Sequence, residues 1–367
     1  MASVAAMSGA GTVGDITKDL PSLQFENALT EEEVSYIDLR ARSHAITVSA
    51  CAQATYLAAI LNEARQKVLE LKSPQQSKTS KFLQDAPPRD PINVGIIGCG
   101  RMGLHLANCL LTYADVQPQE LHISTRRPEL LTSLQQKGVS CYYDNIKLAT
   151  SVHLLFLCVL PSQLPTVATD ICGRIPAHCI VYSLLSSVPI PRLRQVIKCP
   201  NIIKPEFEFR PENSHLPWDC TQDVCIALEN QQQVEITCPL NLIKDESLIN
   251  TKEKWAEMVL YSFVNAGLRI GLDREQIVTL VNLVILGQSE AREYEVKITS
   301  FDFTKRSDMF PIFDLTAVAA NETPLTKTIT QNEEIRKQFI KKYKSVFDKF
   351  FYWKGIKQIK QKEKKSD

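Results

Sequence analysis

Residues 93–103 read NVGIIGCGRMG, an apolar run that opens directly into a glycine-rich turn. Such an apolar run needs cover on both faces, the situation of a strand inside a parallel sheet. The turn, Gly98-Cys99-Gly100-Arg101-Met102-Gly103, has the G-x-G-x-x-G spacing. In that spacing Gly98 permits the tight turn, Gly100 lets backbone approach a pyrophosphate, and Gly103 lets a helix pack closely on the strand. The helical stretch MGLHLANCLLTYA that follows would present its positive N-terminus, with unpaired N–H groups, to that pyrophosphate. Strand, turn and helix in this order predict a dinucleotide site.

The same rhythm continues downstream. ELHIST is a strand, PELLTSLQQKG a helix, VSCYYD a short strand, VHLLFLCVL a long buried strand and CIVYSLL another. Near-continuous apolar strands separated by amphipathic helices predict an α/β fold, a Rossmann-type doubly wound parallel sheet. Between 200 and 245, DVCIALE and QVEITCPLNLI are candidates for the last strands. From Lys252 the pattern is helical again, through KEKWAEMVLYSFVNAGLRIG and REQIVTLVNLVILGQSEAREYEVK.

Upstream, Thr30 with Glu33 three residues on forms a capping-box arrangement. Helical composition then runs to Lys72, with room for a break near Thr47. The proline-punctuated stretch 73–91 is a linker by composition. The expected division is a helical extension and linker over 1–90, a Rossmann domain over 91–245, a helical domain over 246–354 and a basic tail over 355–367.

The second strand selects the cofactor. An NAD site ends this strand with an acid that bonds the ribose 2′-hydroxyl. Here Ser124, Thr125, Arg126 and Arg127 stand at that place, with no acid. Hydroxyls and a guanidinium fork favour a 2′-phosphate, so NADP(H) is expected over NAD(H).

Charge is unevenly spread. From Ile335 to Asp367 twelve Lys or Arg face three acids, a local +9 against a total of +1, so the rest carries −8. The same stretch places Ile335, Phe339, Ile340, Tyr343, Val346, Phe347, Phe350 and Phe351 at helical spacing. This helix either docks against a dimer bundle with its lysines solvated, or offers a face to an acidic partner or a membrane surface. The eleven scattered cysteines include no C-x-x-C pair, which suits free thiols of a reducing compartment and a cytoplasmic chain. Neither the cysteines nor the six histidines show metal-ligand spacing. No unbroken apolar run approaches the ~18–20 residues of a membrane span, so no transmembrane segment is expected. Nor is a nucleic-acid partner.

The stretch 93–171 resembles the N-terminal domain of pyrroline-5-carboxylate reductases. VGIIGCGRMGLHLANCLL is similar to the family's glycine strand and helix, and ISTRRPELLTSLQQKGVSCYYDN to its second strand, helix and third strand. VHLLFLCVLPSQLPTVATDI is similar to its fourth strand, and LYSFVNAGLRIGLDREQIVTLVNLVILG to its dimerising helical domain. The chain is closer still to a branch described by its NADP-dependent oxidoreductase domain. The resemblance implies a cofactor contact from Val159, Leu160 and Pro161, a small-molecule substrate and a homodimer. It also shows departures. The family's Val-Lys-Pro is Val159-Leu160-Pro161 here, and its Met-Pro-Asn-Thr-Pro stretch falls near NIIKPEFEFRPE. Its Ser-Gly-Pro segment has no counterpart in LIKDESLINTKEKW. Its glycine-rich carboxylate loop is replaced by SFDFTKRSDMFPIFDL, which holds no glycine to fold backbone tightly around an anion, although Lys305, Arg306 and Ser307 could attract one.

Two functions follow as expectations. The first is an NADP(H)-dependent reductase of a small imine or carbonyl. Leu160, Pro161, Ser162 and Gln163 would approach the nicotinamide, Ser183, Ser186 or Ser187 would orient it, and Tyr261 or Lys305 could donate the proton. A hydroxyacid dehydrogenase is disfavoured because VTLVNLVILGQ lacks the lysine it needs. The second function is an NADP(H)-binding interaction or sensor protein without turnover.

Overall fold

The computed structural model describes residues 30–34, 36–72, 90–213, 218–243, 247–288, 296–304 and 310–363. The expectations for 1–29, most of the 73–91 linker and the end of the basic tail lie outside them. Thr30 caps a short helical turn, Glu31–Val34: the Glu33 N–H donates to Thr30 Oγ1 at 3.3 Å and the Thr30 N–H to Glu33 Oε2 at 2.8 Å. Helix α1 (Ile37–Lys72) then runs for 36 residues, roughly 54 Å at the usual rise. It does not break at Thr47, whose hydroxyl donates to the Ser43 carbonyl at 2.8 Å.

Six parallel strands form the sheet: β1 (Val94–Ile97), β2 (Leu121–Ser124), β3 (Ser140–Tyr142), β4 (Leu154–Leu157), β5 (Ile180–Ser183) and β6 (Ile202–Ile203). Their order is β3-β2-β1-β4-β5-β6, the doubly wound arrangement the sequence pattern predicts. Alternation along the strands divides the core. Val94, Ile96, Phe156 and Tyr182 point to the face shared with α2 (Arg101–Tyr113). Leu155, Leu157 and Val181 point to the opposite face, covered by α4 (Asn145–Ser151), α5 (Leu164–Ile171) and α6 (Ile190–Ile197). The short α3 (Thr132–Gln136) joins the α2 face through Leu134.

Two expected strands are helices instead. DVCIALE forms α7 (Val224–Ala227) and QVEIT lies in α8 (Gln231–Thr237). Each is preceded by a capping side chain: Asp223 accepts from the Cys225 N–H at 2.8 Å, and Asn230 from the Gln232 N–H at 2.9 Å. The sixth strand is the two-residue β6. An antiparallel ribbon of β7 (Phe207–Phe209) and β8 (Ile249–Thr251) crosses the expected domain boundary at 245, so residues on both sides of it form one unit.

The helical region comprises α9 (Lys254–Arg269), α10 (Arg274–Leu280) continued by a π-helical turn Val281–Ile285, α11 (Leu315–Ala320), α12 (Pro324–Gln331) and α13 (Glu333–Glu363). Trp255 of α9 donates its indole N–H to the Tyr182 hydroxyl of β5 at 2.9 Å, tying this region to the sheet. The basic face of α13 is partly spent inside the fold. Arg336 pairs with Glu253 at 3.0 Å, Lys342 with Glu63 at 2.8 Å and Lys344 with Glu235 at 2.6 Å. Ile335, Phe339, Ile340, Tyr343, Val346 and Phe347 are buried within the chain itself, while the Phe350 and Phe351 side chains lie outside the described residues.

The N-terminal helix is no peripheral extension. Tyr56 of α1 is fully buried, its ring 4.9 Å from Tyr343, 5.4 Å from Phe339 and 6.3 Å from Trp255 between centroids. Gln53 Nε2 donates to the Thr237 carbonyl at 2.9 Å and to Thr251 Oγ1 at 2.7 Å. By length and composition the Leu39–Glu70 stretch could cross a bilayer, yet its most apolar 18-residue window is 83% buried within the fold. Counting unbroken apolar runs overlooks it, because buried Ser49, Gln53 and Thr55 interrupt the run.

Candidate active site at the carboxyl edge of the sheet

The glycine turn closes as its spacing predicts. Gly98 has φ +89°, and a Cβ there would come within 2.7 Å of Val159 Cγ1 and 2.9 Å of the Cys158 carbonyl oxygen. Only glycine combines that conformation with that proximity. A Cβ on Gly103 would collide with the Gly98 carbonyl, so its missing side chain brings helix against strand. Gly100 is different: a Cβ would meet nothing within 4 Å. Its glycine is not needed for packing, and the open space above it suits an approaching phosphate. Gly100 is also the N-cap of α2, with no side chain capping the helix, so Arg101, Met102 and Gly103 start the helix with N–H groups available to an anion. The turn fits the pyrophosphate of a dinucleotide.

At the ribose end the predicted residues separate. Ser124 is buried, its hydroxyl donating to Asn145 Oδ1 at 2.7 Å and accepting from the Asp144 N–H at 3.2 Å. That hydroxyl braces the β2 end against α4 instead of facing a ribose. Thr125 is half-buried, its N–H bonded to the Tyr142 carbonyl at 2.9 Å. Arg126 and Arg127 are both exposed and form none of the ion pairs seen among the described residues. Cys99 is half-buried, and desolvation, with Cys141 nearby, pushes its thiol up to about 12. It is a protonated packing group.

After β4, Val159 packs against Gly98, whereas Leu160 and Pro161 are exposed. Gln163 turns back to accept the Leu160 N–H at 3.1 Å. A small cavity of about 110 Å³ lies at the ends of β5 and β6, bounded by Met102 of the glycine turn and by Ser183, Leu184, Ser186, Pro205 and Phe207. Its remaining wall is Ile46, Thr47 and Ala50 of α1. Sequence reading missed these three residues, since nothing local in α1 signals contact with a turn fifty residues away. The polar groups of the lining side chains are all hydroxyls. Ser183 Oγ accepts the Leu185 N–H at 3.3 Å, Thr47 is spent on Ser43, and Ser186 is exposed. Ser187, also exposed, is not part of the lining.

Lys204, directly after β6 and before Pro205, is 5% exposed. Desolvation lowers its pKa, opposed by Glu206 and assisted by Lys252. It too was missed, because a single lysine in NIIKPEF carries no pattern. Of the two expected proton donors, Tyr261 is excluded by its place. It is buried among Phe303 and Phe313 in the helical region, its hydroxyl donating to the Phe303 carbonyl at 3.3 Å, with desolvation raising its pKa. Lys305, Arg306 and Ser307 fall outside the described residues. A larger recess of about 1030 Å³, between α10 and Ser300, shares no lining residue with the glycine turn.

Residues 93–186 match the family model described as NADP oxidoreductase, coenzyme F420-dependent. NADP-dependent oxidoreductase domain-containing protein 1 of Mus musculus is 32% identical over 346 residues, covering 91% of this chain and 93% of the mouse protein. The chain belongs to the family of that protein. More distantly, pyrroline-5-carboxylate reductase 3 of Xenopus laevis is 26% identical over 110 residues, 30% of this chain and 40% of that protein. Among solved structures, a pyrroline-5-carboxylate reductase from Coxiella burnetii aligns with 72% of this chain and 98% of its own, at 16% identity and TM-score 0.30. The resemblance read from the motifs thus reappears in these relatives.

Proposed function

We propose that this chain is an NADP(H)-dependent reductase of a small, neutral imine or carbonyl compound. The open space over Gly100, in the same turn whose Met102 bounds the 110 Å³ cavity, carries this reading. Bound NADPH would supply the hydride. The chain would supply the rest. Backbone N–H groups of the turn hold the pyrophosphate, and Arg126 and Arg127 attract the 2′-phosphate. Ile46, Ala50 and Phe207 exclude water, while the Ser183 and Ser186 hydroxyls orient a polar atom. Lys204, desolvated beside this edge, is the proposed source of the proton, since burial makes its ammonium a readier acid than an exposed one. Because SFDFTKRSDMFPIFDL holds no glycine to fold backbone tightly around an amino-acid carboxylate, the proposed substrate is uncharged at that end.

The cavity lining, free of carboxylate, imidazole and thiol, favours a second reading: an NADP(H)-binding interaction protein without turnover. The eleven free cysteines suit a reducing compartment, and the cytoplasm is proposed for it. A homodimer through the helical region is proposed from the family resemblance. The deciding experiment follows NADPH absorbance in the presence of small cyclic imines, ketones and aldehydes. Substrate-dependent oxidation that Lys204→Met slows supports the reductase. Tight NADPH binding with no oxidation across the panel supports the second reading.

A further inference from the structure

At the opposite edge of the sheet, where β4 and β5 begin, lies a second cavity of about 310 Å³. That is the space of roughly ten waters. Its body is apolar, built from Leu61, Ala64 and Val68 of α1 with Phe263, Ile270 and Ile277 from the helical region. Its polar lining is of another kind from that at the carboxyl edge. Arg65, Arg269, His153 and His178 stand there.

These groups retain unspent donors. Arg65 Nη2 pairs with Asp90 at 2.6 Å, but its Nε is buried without a hydrogen-bond partner. Arg269 is exposed and forms none of the ion pairs among the described residues. His153 Nδ1 accepts the Asn93 N–H at 3.0 Å, which leaves the ring proton on Nε2. Burial, reinforced by Arg65 and His178 against the pull of Asp90, holds this imidazole down to about 4, so it stays a neutral donor at neutral pH. An apolar chamber bordered by two guanidiniums and the neutral imidazole N–H of His153 carries net positive charge and is complementary to a single anionic head on an apolar body.

We propose that this cavity binds a medium-chain monocarboxylate, its hydrocarbon inside and its carboxylate on Arg65 and Arg269. The site is separate from the cofactor edge and independent of whether the chain turns over substrate. An alcohol of equal length would bury the same carbon but leave the guanidiniums unanswered, and an amine would meet like charge.

The test is calorimetric titration of the full chain with octanoate, octan-1-ol and octylamine. Octanoate is expected to bind about tenfold more tightly than the alcohol, the worth of one charge-assisted contact. Arg269→Gln, an exposed substitution that spares the fold, should erase most of that preference. Ala64→Met should weaken both ligands by filling the chamber, and NADPH affinity measured alongside should stay unchanged in Arg269→Gln. Equal binding of acid and alcohol overturns the proposal, as does octanoate affinity that neither variant alters.

Discussion

The two edges of the parallel sheet are finished in opposite ways. At the carboxyl edge the chain offers bare backbone at a glycine turn, a narrow cavity and hydroxyl groups. At the amino edge it offers a roomier apolar chamber rimmed by cationic and imidazole groups. One element walls both: Ile46, Thr47 and Ala50 of α1 stand at the first, Leu61, Ala64 and Val68 at the second. The polar character of the two cavities therefore comes from different elements, the turn and strand ends at the first and chiefly Arg65 of α1 and Arg269 of α9 at the second, while α1 walls both.

The broadest way to break this comparison is Tyr56→Ala, midway between the two groups of α1 residues. Removing a fully buried aromatic ring should cost about 3–5 kcal/mol. Chemical denaturation should show that loss, with NADPH and octanoate affinity falling together. A variant that weakened one ligand alone would mean the edges do not share a wall in any energetic sense.

Gly100→Val separates them. Because a Cβ there meets no protein atom within 4 Å, the melting temperature should barely change. The side chain would nonetheless occupy the space proposed for a pyrophosphate, so NADPH affinity should fall about a hundredfold, roughly 2.7 kcal/mol. Unchanged NADPH binding by calorimetry would remove the cofactor site from the glycine turn. Replacing Arg126 and Arg127 together by Ala should act more narrowly, weakening NADPH by about tenfold while leaving NADH unaltered. Equal losses for both cofactors would take the 2′-phosphate away from these guanidiniums.

The smallest effect belongs to the amino edge and depends on pH. The folded-state pKa of His153 lies near 4, below the ~6.5 of an unfolded histidine. Above pH ~6.5 both states are neutral there and the favourable contribution is complete. As pH falls toward 4 the unfolded chain gains a proton that the folded chain refuses, and stability is lost. With solvent screening at this partly exposed ring the loss should be at most about 1 kcal/mol. His153→Gln should flatten the denaturation midpoint between pH 6.5 and 4. An identical pH profile in wild type and variant would mean the imidazole titrates normally.

The sheet and its glycine turn were legible because their constraints are local: a strand must be apolar on both faces, and three glycines have separate steric tasks. What escaped was set by distant contacts. α1 is buried on nearly all sides, so it lacks the one-sided stripe by which a surface helix is recognised. Its alanines, serines and Gln53 look like a modest solvent helix until Tyr343, Thr237 and Thr251 are placed beside them. β6, at two residues, is too short to carry a period. α7 and α8 read as strands because their apolar residues are dense, and only the caps at Asp223 and Asn230 marked them otherwise. Ser124 was expected to face a ribose because its position in the strand is right; its bond to Asn145 depends on α4, which the strand alone does not reveal.

The depth at which α1 lies also bears on how the chain is made. Its partners Phe339 and Tyr343 emerge from the ribosome more than 260 residues after Lys72. At roughly 5–20 residues per second, that is an interval of tens of seconds. Throughout it, a helix long and apolar enough to be mistaken for a membrane anchor has no cover from the C-terminal end of its own fold. The last of the cover over α1 therefore arrives only when α13 is released, although α2 and α8 are made well before it.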